Sequence, residues 1–275
     1  MTLKIRNRFL KIFAFFSVLT FTLAALILVT TMIGENILPP PIEIRTLPFY
    51  SIHFLTNCNF PVTIISIFVI LLFVIIASFF SNIHFHKTQS TELIFYFAFL
   101  GGMLCEVFRL AIMAFGLWVT FSDTLLIFGK LILFGRVMAT LSFFFAALMS
   151  EYSKRNEVER NLLMLIAISA LVSAITPLNT ARITSTGMTT IGFSKMYTTF
   201  KVTIIILTGL MFFYNAIKEE KPSFNWLAIG FLIMFLGYET MIASDCLISI
   251  VVGSVLLFLG STQYLLTLHK IYLWA

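Results

Sequence analysis

Apolar runs of about 20 residues recur along the whole of this 275-residue chain. That is the length a helix needs to cross the hydrocarbon core of a bilayer. No polar block between the runs is long enough to fold as a separate soluble domain, so residues 1–275 read as a single integral membrane domain. Lipid offers no partners to backbone amides and carbonyls, which leaves helices or a closed barrel. The runs are continuous and do not alternate with a period of two, which selects helices. Composition agrees: 60% of the residues are hydrophobic and 11% charged, where an average soluble domain has roughly 25% charged. The expected fold class is therefore all-α, a polytopic transmembrane bundle.

Eight spans are expected, at about 12–33, 60–81, 92–119, 124–150, 161–176, 198–217, 224–243 and 246–268, or seven if the last two fuse differently. Lys4, Arg6, Arg8 and Lys11 precede the first run as in a signal peptide. The run is too long for a typical signal, and Gly34–Glu35–Asn36 offers no Ala-x-Ala cleavage site, so it reads as an uncleaved helix. Pro39, Pro40, Pro41 and Pro48 stop helix formation in the loop that follows. Residues 178–197, rich in Thr and Ser with Gly187 and Gly192, form a long second loop that either caps the bundle or re-enters it. Gly230 and Gly237, like Gly253 and Gly260, stand one heptad apart and mark faces for close helix packing.

Charge bias sets the orientation. With both termini in the cytoplasm, eleven cations fall inside: Lys4, Arg6, Arg8, Lys11, Lys87, Lys154, Arg155, Arg160, Lys218, Lys221 and Lys270. Only Arg45, Arg182, Lys195 and the boundary Lys201 fall outside. The bias obeys the positive-inside rule and suits a bacterial-type cytoplasmic membrane.

The other three cations sit within spans. The hairpin of residues 92–150 carries Glu106, Arg109, Lys130 and Arg136, and a charge at the bilayer centre costs about 2.5–3.5 kcal/mol on insertion scales. At 1.5 Å per residue, Arg109 lies about 15 Å and Glu106 about 20 Å below the outer end of its span. In the next span Lys130 lies about 9 Å and Arg136 about 18 Å deep, and Glu239 of the seventh span about 8 Å. Two clusters are expected: Glu106 with Arg109 and Arg136 near the midplane, and a Lys130–Glu239 ion pair nearer the outer face. The inner triad leaves one positive charge over, which water or an anion must neutralise. Guanidinium groups suit bidentate capture of carboxylate or phosphate, so Arg109, Arg136 and Glu106 are candidate ligand-binding residues, with Tyr238 at the entrance.

Other chemistries find little support. The net charge of +6 gathers in the loops, and no basic stretch interleaves with exposed aromatics, which points away from a nucleic-acid partner. Cys58, Cys105 and Cys246 have no metal spacing; a Cys58–Cys246 disulfide is conceivable but apolar filling is the better reading. His84-x-His86 lacks a third ligand nearby, so no metal site is expected. Asp123 and Asp245, at turns, form no paired-Asp site, and all four histidines, His53, His84, His86 and His269, lie in loops or at ends, excluding a two-histidine haem. No His-Glu-x-x-His, Gly-x-Ser-x-Gly or phosphate loop is present, so no cofactor is expected. Intramembrane catalysis would have Glu106 alone as acid or base. Two functions fit: a sensory or ligand-binding module with an outward-facing cationic pocket for a small anion, or a small secondary transporter of an anionic or proton-coupled solute. The sensor would signal through a cytoplasmic or membrane protein partner at the charged segment 151–160, with the lipid bilayer around the bundle in either case.

Overall fold

A computed structural model describes residues 3–33, 60–86, 88, 90–120, 123–150, 158–220, 222–244 and 246–273. Over these residues the chain is almost entirely helical, with eight helical segments long and apolar enough to cross a membrane. The helices are α1 (Leu3–Ile33), α2 (Phe60–His84), α3 (Glu92–Leu104), α4 (Val107–Ala114), α5 (Leu117–Thr120), α6 (Asp123–Met149), α7 (Val158–Ile175), α8 (Ser194–Lys218), α9 (Ser223–Ile242) and α10 (Leu247–Leu273). The last two spans stay separate helices. Expectations for 34–59 (with His53 and Cys58), 151–157, Lys87 and Asp245 fall outside the described residues. Cys246 carries a free thiol.

Two departures concern the expected third span. It is interrupted at Cys105–Glu106, where α3 gives way to α4, and again at Gly116, whose positive φ of 55° turns the chain into α5. The basic N-terminal residues also belong to α1, which starts at Leu3 rather than at 12. Lys and Arg are good helix formers, and their long stems let the charged heads leave an apolar helix end.

Contacts fix which ends lie together. Arg6 of α1 donates to the carbonyls of Phe85 and Thr88 in the α2–α3 turn. The Tyr272 hydroxyl of α10 donates to Glu92 Oε2 at 2.5 Å, and the His269 and Phe85 rings lie 5.4 Å apart. The start of α1, the α2–α3 turn and the end of α10 therefore share one end of the bundle. The α4–α5–α6 turn lies at the other.

That second end is closed by an element the all-α expectation lacked. Residues 178–191 form an antiparallel hairpin of β1 (Leu178–Ile183) and β2 (Thr189–Ile191). Its β-branched residues favour extended backbone. The tip is held by Thr184, whose amide donates to the Met188 carbonyl at 2.8 Å, while Gly187 takes φ +74°. The tip drops into the bundle: Met188 and Thr189 are buried, and Thr63 of α2 reaches the Ser185 carbonyl at 3.5 Å.

The segment α3–α4 and helix α6 are the most completely enclosed, while α1, α7, α8 and α10 expose much of their apolar surface. Helices α9 and α10 come into backbone contact, since a Cβ on Gly237 would stand 2.4 Å from the Leu257 nitrogen and one on Gly260 2.2 Å from that of Met234. An aromatic layer fills the middle: Phe143 lies 4.9 Å from both Phe99 and Phe231, and Phe99 lies 5.5 Å edge-on to Tyr238. Such edge and tilted arrangements suit the ring quadrupoles. This layer is the floor of the ionic centre.

Candidate functional site

The ionic centre forms because two glycines bring α3 and α6 together. A Cβ on Gly102 would meet the Gly135 carbonyl at 2.4 Å, and one on Gly135 would meet the Cys105 Cβ at 2.4 Å. Only backbones without side chains approach this closely. The residues beside that crossing, Glu106 and Arg136, are thereby set face to face. Local backbone geometry adds to this. The amides of Cys105, Glu106, Phe108 and Arg109 bond to carbonyls three residues back, a tightened turn in mid-span. Such 3₁₀ turns inside a long helix recur at hinges.

Glu106 is the hub. Its Oε1 accepts from Arg136 Nε at 2.8 Å, and its Oε2 accepts from Arg136 Nη2 and Arg109 Nη1, both at 3.1 Å. Arg136 thus grips the carboxylate with two parallel N–H groups, the bidentate form that combines charge with fixed geometry. Tyr238 is not at an entrance as expected but fully buried, because its ring packs into the aromatic layer; its hydroxyl stands 3.5 Å from Oε1 and adds a weak fourth contact. The three side chains named from the sequence do meet.

Arg109 is the unusual member. Its side chain is 0% exposed and that of Glu106 1%, while Arg136 keeps 13%. Arg109 Nε donates to the Thr186 carbonyl at the hairpin tip, at 2.8 Å. Its Nη2 is buried with no hydrogen-bond partner among the described residues. Two guanidiniums share one carboxylate, so the centre carries a net positive charge in an interior that disfavours it.

The expected Lys130–Glu239 pair is not formed. Lys130 Nζ donates to the carbonyls of Ser173, Ala174 and Thr176, at 2.8, 2.9 and 2.5 Å. It caps the C-terminal end of α7, where unpaired carbonyls and the helix dipole favour a cation. Ser173 Oγ returns a hydrogen bond to the Lys130 carbonyl at 2.6 Å. Glu239 instead binds Lys201 of α8 at 2.5 Å. Equal depth was the ground for pairing Lys130 with Glu239. Depth leaves the rotation about each helix axis open: Lys130 faces α7, and Glu239 faces α8.

Sequence reasoning also missed Tyr197. Lys201 lies one turn further along α8 with its Nζ 5.7 Å from the Tyr197 ring centre. The i, i+4 spacing of Tyr197 and Lys201 was the available signal. His84 and His86 are remote from the centre; each turns Nδ1 to a backbone carbonyl, of Phe80 and Ile83.

Fold and site together define a membrane protein with eight spanning-length helices among the described residues, around a hairpin-covered, arginine-rich ionic centre. Comparison of the chain with protein-family models, with curated proteins and with solved structures returned no match.

Proposed function

We propose that the chain is a sensory or ligand-binding membrane module whose Arg109–Glu106–Arg136 centre takes up a small anion. One observation carries this reading: the buried, unpartnered Nη2 of Arg109 beside a carboxylate already shared with a second arginine. An anion accepting from Nη2 would satisfy that donor and cancel the surplus charge together. The whole chain would act as one domain in the cytoplasmic membrane, with both termini inside by the cation bias. The hairpin would then cover the pocket on the outer face, and the signal would pass to a protein partner at 151–160.

The test uses the full chain in phosphatidylcholine nanodiscs, titrated with acetate, inorganic phosphate and sulfate while thermal unfolding is followed. A binding anion at a hundred times its Kd should add about 2.7 kcal/mol of stability. Arg109→Gln should abolish that gain. Stabilisation that survives Arg109→Gln combined with Arg136→Gln would sink the reading.

A secondary transporter of an anionic or proton-coupled solute is the second reading, favoured by the broken helix at 105–109, since interrupted helices form transporter sites. Cysteines placed around Arg136 would be labelled from both sides of the membrane by a transporter, and from one side by a sensor.

A further inference from the structure

The donor that makes Arg109 a candidate anion ligand is sealed from solvent. The Arg109 side chain is 0% exposed, and the hairpin tip lies against it, with the Thr186 carbonyl accepting from Nε at 2.8 Å. Arg136 keeps 13% exposure, but the unpartnered Nη2 belongs to Arg109. Some neighbour of Arg109 has to move before an anion can arrive. Helices α3 and α6 are poor candidates, because they meet backbone to backbone at Gly102 and Gly135, and Arg136 clamps Glu106 across them.

The hairpin is built differently. Its base is fixed, since the Gly192 amide donates to the Pro177 carbonyl at 2.9 Å and Leu178 pairs with Ile191. Its tip, Thr184–Ser185–Thr186–Gly187, carries no large apolar side chain, and Met188 follows as an apolar anchor, 3% exposed. Docking the tip therefore gains little from hydrophobic burial. Docked, it leaves Thr189 Oγ1 as well as Arg109 Nη2 buried with no hydrogen-bond partner among the described residues, and Thr63 reaches the Ser185 carbonyl only at a long 3.5 Å. Segments with few apolar contacts are the ones that open locally, and moving elements come from that low-stability end.

Resting on the anion-site reading above, we infer that the 178–191 hairpin is a lid latched by Arg109, which swings from its base to admit the anion and closes over it. Latch and site are one planar guanidinium. Nε holds the Thr186 carbonyl and Nη1 holds Glu106. An anion on Nη2 fixes the plane from which Nε reaches the hairpin. The empty lid is held loosely and the filled lid tightly, and by linkage a tightly closed lid holds the anion more firmly.

The experiment locks the lid. A Cβ on Gly187 would stand 3.1 Å from Met113 Cγ, the place a cysteine sulfur would take, so Met113→Cys with Gly187→Cys puts a disulfide within reach. The pair is made in the full chain, with Cys58, Cys105 and Cys246 changed to alanine, in phosphatidylcholine nanodiscs. Radiolabelled acetate, inorganic phosphate and sulfate are the probes. Oxidised while empty, the protein should take up the anion at least about tenfold more slowly than after reduction. Oxidised after loading, it should release the anion more slowly by a similar factor. Uptake and release that ignore the disulfide, or slow uptake with fast release, overturn the lid and leave the anion site standing. Gly187 has a φ of +74°, so the cysteine pair strains the tip, and the wild-type chain supplies a second measurement. Saturating anion should slow amide exchange at Thr184, Gly187 and Met188 by about fivefold or more, and unchanged exchange overturns the lid as well. If none of the three anions binds the wild-type chain saturably, both readings fail.

Discussion

Arg109 and Lys130 are two cations carried by neighbouring spans, and the bundle treats them differently. Lys130 meets the carbonyl end of α7 and has three acceptors within 2.9 Å, with a serine bonding back. Its donors are used, and its charge faces the negative end of a helix dipole. Arg109 meets a carboxylate held more firmly by Arg136, plus a single hairpin carbonyl, and its Nη2 has no partner among the described residues. The first arrangement is complete and reads as structure. The second leaves a buried donor without a partner among the described residues and two guanidiniums on one carboxylate, and this makes it the candidate site. The number of buried charges says less than whether each has its full set of partners.

The sharpest way to break this contrast is Glu106→Gln, which leaves two guanidiniums facing each other without a counter-charge. It should cost about 3–5 kcal/mol, the range for removing one partner of a buried pair. Thermal unfolding in mild detergent reads this directly, and a loss no greater than that of Lys130→Met would erase the distinction. Lys130→Met should itself cost about 1–2 kcal/mol through the lost helix cap. Hydrogen exchange at the end of α7 should quicken, and the anion affinity of the centre should not change. The smallest effect belongs to Lys201 and Glu239, whose side chains are 20% and 29% exposed. A double-mutant cycle of Lys201→Met and Glu239→Gln should give a coupling of about 0.5 kcal/mol. The same cycle with Lys130 in place of Lys201 should give none. A measurable Lys130–Glu239 coupling would contradict the helix-cap assignment.

Helices stand at all eight expected runs, because a bilayer-length apolar run has few alternatives to a helix, although the first begins nine residues early and the third is broken. The Glu106 centre was legible to the same degree. Glu106 and Arg109 are three apart on one helix, and equal depth set Arg136 level with Glu106. Equal depth then failed for Lys130 and Glu239, because each helix also has a rotation about its own axis. That rotation is set by which neighbours pack against it, and the Gly102–Gly135 crossing happened to favour the first pair.

The linear order of residues was enough for a membrane bundle with unpaired charge at mid-depth, since chain length, apolar content and helical rise are local properties. The hairpin that dips to Arg109, the mid-span 3₁₀ turn and the Lys130 cap on α7 came only with the folded molecule. Each arises where segments distant in the chain come into van der Waals contact. In a helix bundle that contact depends on side-chain volume at the crossing points, which a one-dimensional pattern does not encode.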